Sequence, residues 1–174
     1  GVIAAAKELG VSLAQSAASL RTVGGVKGRV EVVPTPGMDC TVLIDYAHSP
    51  DGIENVLKSA KGFAKGRVVA LFGCGGDRDA TKRPIMGRIA AELADYVIVT
   101  SDNPRTEEPM AIIRDILPGF EGLDTPHTVV ENRIEAIHYA LAHAEKDDVI
   151  VLCGKGHETY QEIKGVKYPF DEKV

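Results

Sequence analysis

The sequence lacks the features that would place it in a membrane, outside the cell or on nucleic acid. No apolar run approaches the ~20 residues needed to span a bilayer, and the first residues, GVIAAAKELG, do not have the form of a signal peptide. The formal net charge of −5 argues against a general nucleic-acid-binding surface. Cysteine is scarce. Cys40, Cys74 and Cys153 are far apart with no C-x-x-C pair, so buried thiols in a reducing cytosol are expected rather than a disulfide or a metal site. The five histidines show no H-E-x-x-H or paired metal spacing, and His127, His138 and His143 read as surface or packing residues. No G-x-x-x-x-G-K-[ST] phosphate loop and no G-x-S-x-G elbow occurs. GCGGDRD has the glycines without the lysine spacing and carries Arg78 where a G-x-G-x-x-G would end, while GKGHE has no Ser or Thr after its lysine. What remains is a balance of 44% hydrophobic and 26% charged residues over 174 positions. That balance leads to the expectation of a soluble, cytoplasmic protein with a sizeable core, no nucleic-acid partner and no membrane span.

Residues 1–20 are Ala-rich and helical in pattern, with a break at Gly10 and Ser12 placed as an N-cap. They have no strand to pack on, and the glycine-rich RTVGGVKGR follows. Residues 1–27 are therefore expected to be the tail of a preceding domain with its linker, and residues 28–174 a second domain. From Arg29 onward strand and helix signals alternate. Strands are expected at 29–33 and 40–46, flanking a Pro/Gly turn, and then at 67–72, 95–101, 127–130 and 148–153. RVVALF is almost unbroken in its apolar character, as suits a strand covered on both sides. Helices are expected at 50–63, with Ser49 as N-cap and Pro50 at the first position, and at 84–93, 107–117 and 132–144. In the last of these Ile134, Ile137 and Leu141 share one face. QEIKGVKYPF reads as a hairpin around Lys164-Gly165, and FDEKV as the start of another helix. The alternation predicts an α/β protein with a doubly wound, mostly parallel, Rossmann-like sheet, a C-terminal hairpin and a short helical remnant at the N-terminus.

In such a sheet ligands bind beyond the C-terminal ends of the strands. The segments expected there are DYAHSP after Ile44, GCGGDRD after Phe72, SDNPR after Thr100 and CGKGHE after Leu152. Arg78, Lys82, Arg83, Arg105 and Lys155 would set cations on this rim of a net acidic protein, which suits an anionic ligand. Asp102 and Glu158 on the same rim could hold an ammonium group, so the set as a whole suits a zwitterion. Each loop alone has a plainer explanation. Glycines end strands, Asn-Pro and Ser-Pro begin helices, and Asp45 or Ser49 could cap the helix at Pro50.

GRVEVV, VLIDYAHSPDGIENVL, LFGCGGDRDATKRPIMG, TSDNPRTEEP and VLCGKGHETYQ, in this order and at these separations, resemble the C-terminal domain of the Mur ligases. Within that family they are most similar to the branch that adds the third residue of the peptidoglycan stem peptide. The resemblance runs from about Gly28 to the C-terminus, and residues 1–20 are similar to the last helices of the family's central domain. It implies an ATP-dependent acid–amino-acid ligase of three domains. The first binds a UDP-sugar, the second carries the phosphate loop and a modified lysine, and the third is the one this chain resembles. In such enzymes ATP phosphorylates the terminal carboxylate of UDP-MurNAc-L-Ala-D-Glu. The incoming amine attacks the acyl phosphate and phosphate leaves, with Mg2+ neutralising charge mainly through the central domain.

Carried over to this sequence, the resemblance implies ATP contacts at Asp45 (ribose), His48 and Arg29 (phosphates). It implies an amino-acid pocket of Arg78, Asp102, Asn103, Pro104, Arg105, Gly154 and Glu158. The DNPR form resembles the enzymes that add meso-diaminopimelate, whereas lysine-adding relatives lack this arginine. Arg105 would meet the distal carboxylate, with Pro104 limiting the freedom lost on binding. No catalytic or metal-ligating residue is expected in this chain, and the chain alone is expected to be inactive. Two alternatives stand beside this reading. One is the corresponding domain of another Mur or folylpolyglutamate-type ligase, whose pocket would lack the paired Arg78 and Arg105. The other is a non-catalytic module that binds a nucleotide or amino acid, which the missing phosphate loop fits equally well.

Overall fold

The computed structural model describes residues 2–173. Two helices come first, α1 (Val2–Glu8) and α2 (Leu13–Thr22). Ser12 caps α2 as expected: its hydroxyl accepts from Gln15 N, and the Gln15 side chain reaches back to Ser12 N. α1 buries none of its residues and α2 buries only Ser16. Val2, Leu9, Leu13, Leu20, Val23 and Val26 are all exposed. The expectation for Gly1 lies outside the described residues.

The main body contains β1 (Glu31–Val33), β2 (Thr41–Asp45), α3 (Pro50–Lys61), β3 (Val68–Phe72), α4 (Lys82–Leu93), β4 (Tyr96–Val99) and α5 (Pro109–Ile116). A 3-10 turn, Leu117–Phe120, leads to β5 (His127–Val129), α6 (Arg133–Ala142) and β6 (Val149–Cys153), and the hairpin β7 (Tyr160–Ile163) and β8 (Val166–Pro169) follows. The six-stranded sheet has the order β1-β2-β6-β3-β4-β5, with β1 antiparallel and the other strands parallel. β6 is the insertion that makes the sheet continuous: it pairs with β2 on one side and β3 on the other.

Side chains alternate across the sheet. Leu43, Ala70, Phe72, Val97, Val99 and Val151 face a layer made by α3, α4 and α5. Val42, Ile44, Val69, Leu71, Ile98 and Ile150 face α6. Because both faces are covered, β3 and β6 are wholly buried and apolar, as their sequences require.

Several boundaries differ from expectation for local reasons. β1 begins at Glu31 because Val30 adopts φ +46°, which a strand cannot contain. α5 begins at Pro109, whose ring suits the first helical position. α6 buries Arg133, Ala136 and Ala140, while Ile134, expected on the apolar face, is half exposed. The alanines let the helix lie close on the sheet where larger side chains would hold it away. FDEKV does not start a helix within the described residues. Phe170 N donates to Thr159 O, and Glu172 turns inward to pair with buried Arg133 at 2.6 Å. The hairpin turn lies where expected, with Lys164 at φ +50° and Gly165 at φ +75°, a two-residue turn of the kind that matches strand twist.

At the N-terminal end of the sheet one carboxylate joins the starts of two neighbouring strands. Asp148, 1% exposed in its side chain, accepts from Arg67 N (3.0 Å) and Nε (3.2 Å) through Oδ1, and from Arg67 Nη2 (2.7 Å) and Glu145 N (2.7 Å) through Oδ2. Burial alone would raise its pKa, but the Arg67 guanidinium and the two backbone N–H groups outweigh it and hold the carboxyl below the ordinary aspartate value. Removing the acceptor strands those donors, so Asp148→Ala should cost about 2–3 kcal/mol in chemical denaturation. With a depressed folded-state pKa, this stabilisation is complete above the unfolded value of about 3.9 and is lost as pH falls through the folded value. Asp148→Asn should therefore flatten the acid side of the stability-versus-pH curve. An acid limb identical to that of the wild type would exclude this role.

Candidate functional site

The loops after β3 and β4 are locked together by backbone. Gly76 N donates to Asn103 O at 2.9 Å, and a Cβ at Gly76 would stand 1.9 Å from Pro104 O, so only glycine fits. Asp77, at φ +54°, receives Thr106 Oγ1 (2.6 Å) and N (3.3 Å) on its carboxylate, and its own N–H donates to Glu107 Oε1 (2.6 Å). Arg105 is held at φ +50°, an uncommon conformation for a side chain of this size. Its N–H donates to Glu162 O (3.0 Å) and its carbonyl accepts from Lys164 N (2.6 Å), so the β7–β8 hairpin supplies the clamp. Its Nη1 donates to Gly76 O (2.8 Å) and its Nε lies 3.6 Å from Glu162 Oε2. Glu107 and Glu108 do not hold it. Glu107 is taken by Arg83 at 2.7 Å.

Between these loops and the ends of β2 and β6 lies a cavity of about 360 Å³. Arg78, Lys82, Arg105, Asp102, Asn103, Gly154 and Glu158 all line it. Six of the seven residues expected for the amino-acid pocket are thus brought together. Pro104 is not in the lining; it is buried and acts through its backbone carbonyl against Gly76. Gly154 has φ +116°, and a Cβ there would lie 2.8 Å from Asp102 Oδ2, so this glycine lets β6 end directly against the Asp102 carboxylate.

Two of the expected rim cations are engaged internally. Arg83 borders the cavity but is only 3% exposed and pairs with Glu107 and with Asp115 at 2.8 Å, tying α4 to α5. Those hydrogen bonds hold its guanidinium firmly charged. Lys155 is fully buried. Its Nζ lies 2.5 Å from Asn103 Oδ1, 2.9 Å from Tyr160 O and 3.2 Å from Asp102 Oδ1. Sequence pattern does not separate a lysine at the mouth of a glycine turn from one folded beneath it.

The residues expected at a nucleotide gather at the ends of β1 and β2. Asp45 is 8% exposed. Its Oδ2 accepts from Val30 N (2.7 Å) and its Oδ1 from Ala47 N (2.8 Å), so it anchors the strained Val30. It does not cap α3; Ser49 does, its hydroxyl accepting from Gly52 N at 3.2 Å. The Arg29 guanidinium lies 5.1 Å from the centre of the Tyr46 ring, and that ring is flanked by His48 (4.6 Å) and His157 (5.1 Å). Tyr46 and His157 were not singled out from sequence, although each sits inside a quoted motif. Tyr46 and His48 also line the cavity, so the two groups of residues are continuous.

All three cysteines are free thiols; Cys74 and Cys153 are buried as expected, while Cys40, just before β2, is only partly buried. Burial pushes Cys74 up to about 12 and raises Cys153 and Cys40 as well, so none is a thiolate near neutral pH. Among the described residues no helix is long and apolar enough to cross a membrane, and no group of three or more His, Cys, Asp or Glu residues could hold a metal ion.

Comparison with known proteins agrees with this geometry. Residues 28–156 match the family described as Mur ligase, glutamate ligase domain. A UDP-N-acetylmuramoyl-L-alanyl-D-glutamate--2,6-diaminopimelate ligase of Clostridioides difficile (strain 630) is 51% identical over 172 residues, covering 99% of this chain and 35% of that protein. A ligase of the same name from Caldanaerobacter subterraneus subsp. tengcongensis is 55% identical over 148 residues, covering 85% of this chain and 30% of that protein. A solved structure of a ligase of that name superposes with a TM-score of 0.77 at 41% identity, over 96% of this chain and 34% of that one. The chain thus spans about a third of the length of the relatives it matches. On the match over residues 28–156, the five motifs in order and the shared fold, the chain belongs to the Mur ligase, glutamate ligase domain family.

Proposed function

We propose that this chain is the domain of an ATP-dependent ligase that contacts the amino acid and ATP, and that the enzyme adds meso-diaminopimelate to UDP-MurNAc-L-Ala-D-Glu. Residues 1–27 would be the end of the central domain, and the exposed apolar residues of α1 and α2 would pack against the rest of it. The observation that carries the reading is the cavity itself. Arg78, Lys82 and Arg105 line one small space together with Asp102 and Glu158, a mixed-charge set that fits a zwitterion with an additional carboxylate. The names of the relatives point to the same amino acid.

In this reading Arg105 takes the distal carboxylate as a bidentate partner, which lysine as a substrate cannot offer. Asp102 and Glu158 hold the ammonium at that end of the ligand. The opposite amine is left free to attack the phosphorylated carboxylate of the UDP-dipeptide, and phosphate departs as the amide forms. Asp45, His48, Arg29 and the face of Tyr46 would contact ATP at the neighbouring strand ends. None of this chain's residues is assigned to Mg2+ or to the β- and γ-phosphates, which would be held by the rest of the enzyme. The alternative of a folylpolyglutamate-type ligase is disfavoured by the paired arginines. The non-catalytic module is disfavoured by relatives named as ligases over nearly the whole chain.

Three outcomes are expected. Incubated with ATP, UDP-dipeptide and diaminopimelate, this chain alone should release phosphate only at background. Substrate-dependent turnover that survives repurification would overturn the assignment of chemistry to the rest of the enzyme. In the full-length enzyme Arg105→Ala should lower kcat/KM for diaminopimelate by roughly 30- to 150-fold, corresponding to about 2–3 kcal/mol for an unpaired charge in a partly open pocket. Activity with lysine should change little and Arg105→Lys should rescue poorly, so an unchanged ratio of the two kcat/KM values would exclude the specificity role. Asp45→Ala should lower the melting temperature, because Val30 and Ala47 lose their acceptor, and should also raise the KM for ATP. A melting shift with no change in that KM would confine Asp45 to structure.

A further inference from the structure

A lysine with no solvent exposure is an uncommon and costly feature, and Lys155 lies directly behind the wall of the cavity. Burial pushes its ammonium down from the ordinary lysine range, while Asp102 and Glu158 act to keep it charged. An apolar side chain of the same length would fill the space between the Tyr160 and Phe170 rings, whose centres lie 5.9 and 5.8 Å from Nζ, without that cost. The contacts the charge does make are concentrated on the site. They are Asn103 Oδ1 at 2.5 Å, Asp102 Oδ1 at 3.2 Å, Glu158 Oε2 at 3.6 Å and one backbone oxygen, that of Tyr160, at 2.9 Å.

We infer that Lys155 is a positioning residue of the amino-acid site: it helps to fix the orientation of Asn103 and sets its positive charge against Asp102 and Glu158, the carboxylates that receive the substrate ammonium. This rests on the reading of the cavity as a zwitterion site. The geometry of Asn103 carries the first half. Its Oδ1 accepts from both Lys155 Nζ and Glu162 N (2.9 Å), and its Nδ2 donates to Glu158 Oε2 (2.9 Å). An ammonium has donors only, so it can face the carbonyl oxygen of an amide but never its NH2. Rotation of Asn103 by half a turn would set NH2 against two donors. Lys155 and the Glu162 N–H together therefore aim the amide at Glu158 and, through it, set where that carboxylate stands in the cavity wall.

The second half rests on charge. Asp102 Oδ1 is buried and has no well-aligned hydrogen-bond partner among the described residues, so the adjacent ammonium is what offsets its charge. The remaining charged neighbours are few. Arg133 on α6 adds positive charge but is itself paired with Glu172, and Glu162 on β7 is turned toward Arg105. Lys155 lies within salt-bridge distance of both Asp102 and Glu158, with Arg133 acting on Asp102 from further off.

The test uses the full-length enzyme with Lys155→Met, which keeps the volume and removes the charge. At neutral pH kcat/KM for diaminopimelate should fall by about 10- to 100-fold, the usual effect of removing a group that orients direct contacts. The loss should lie in the KM for diaminopimelate, with that for ATP essentially unchanged. Lys155→Arg, which keeps the charge and the donors, should restore most of that KM. An unchanged KM for diaminopimelate in Lys155→Met, or equal losses for ATP and diaminopimelate, overturns the inference. Should that variant fail to fold, Lys155→Gln, which removes the charge, is read in the same way. The side-chain NH2 resonances of Asn103, followed by NMR, give the answer without turnover. They should shift in Lys155→Met and lie near their wild-type positions in Lys155→Arg, and resonances unmoved in Lys155→Met overturn the inference. If the wild-type enzyme does not add diaminopimelate, the functional reading fails, while the Asn103 resonances still decide the role of Lys155.

Discussion

The pairing of Arg105 with the β7–β8 hairpin holds the candidate site in its shape. Two backbone hydrogen bonds, Arg105 N to Glu162 O and Lys164 N to Arg105 O, add this residue to the hairpin as if it were a fragment of a third strand. That fixes φ at +50°, which in turn directs the guanidinium across the carbonyl of Gly76 and into the cavity. Pro104 cannot relax toward Gly76, because the glycine has already taken the closest approach a backbone permits. The strain of one residue is thus borne by three segments that are distant in sequence.

Electrostatics divides the site into a hidden and a presented set. Arg83 and Lys155 are spent on internal partners, and these interactions place the acids Glu107, Asp102 and Glu158. Arg78 and Lys82 stay at the surface of the cavity, and Arg105 is only partly engaged. A cavity bearing both signs of charge would collapse into its own ion pairs if the side chains were free to meet. Here backbone contacts hold Arg105 against Gly76 and the β7–β8 hairpin, while Asp102 and Glu158 are held by buried Lys155.

Much of this was legible in the sequence because the signals were local. Apolar runs gave the parallel strands, Ser12 and Ser49 gave helix starts, and Lys164-Gly165 gave the hairpin turn. The strand-end rule placed Arg78, Asp102, Arg105 and Glu158 on one cavity, and the family resemblance added Asn103 and Gly154 to it. What sequence did not reveal depends on tertiary context. Lys155 and Arg83 read as rim cations because charge alone does not say which way a side chain turns. Ile134 reads as core because periodicity does not report that the sheet contact is made by alanines. The inward turn of Glu172 depends on a buried arginine on another element. The role of Asp45 as anchor of Val30 depends on a backbone angle that no residue type signals.

The place of β6 in the sheet has a consequence for how the chain acquires its structure. β2 and β3 do not pair with each other; both pair with β6, which is synthesised after nearly all the rest of the domain. Until that strand arrives, β1–β2 and β3–β4–β5 are two separate ribbons, each with an open edge. The central contacts therefore have large sequence separation, and closing the sheet must bring together the early and late parts of the chain. The loop that carries Gly154, Lys155 and Glu158 follows directly from this last strand. The cavity is thus complete only with this strand in the sheet, which makes its shape a report on the integrity of the whole sheet.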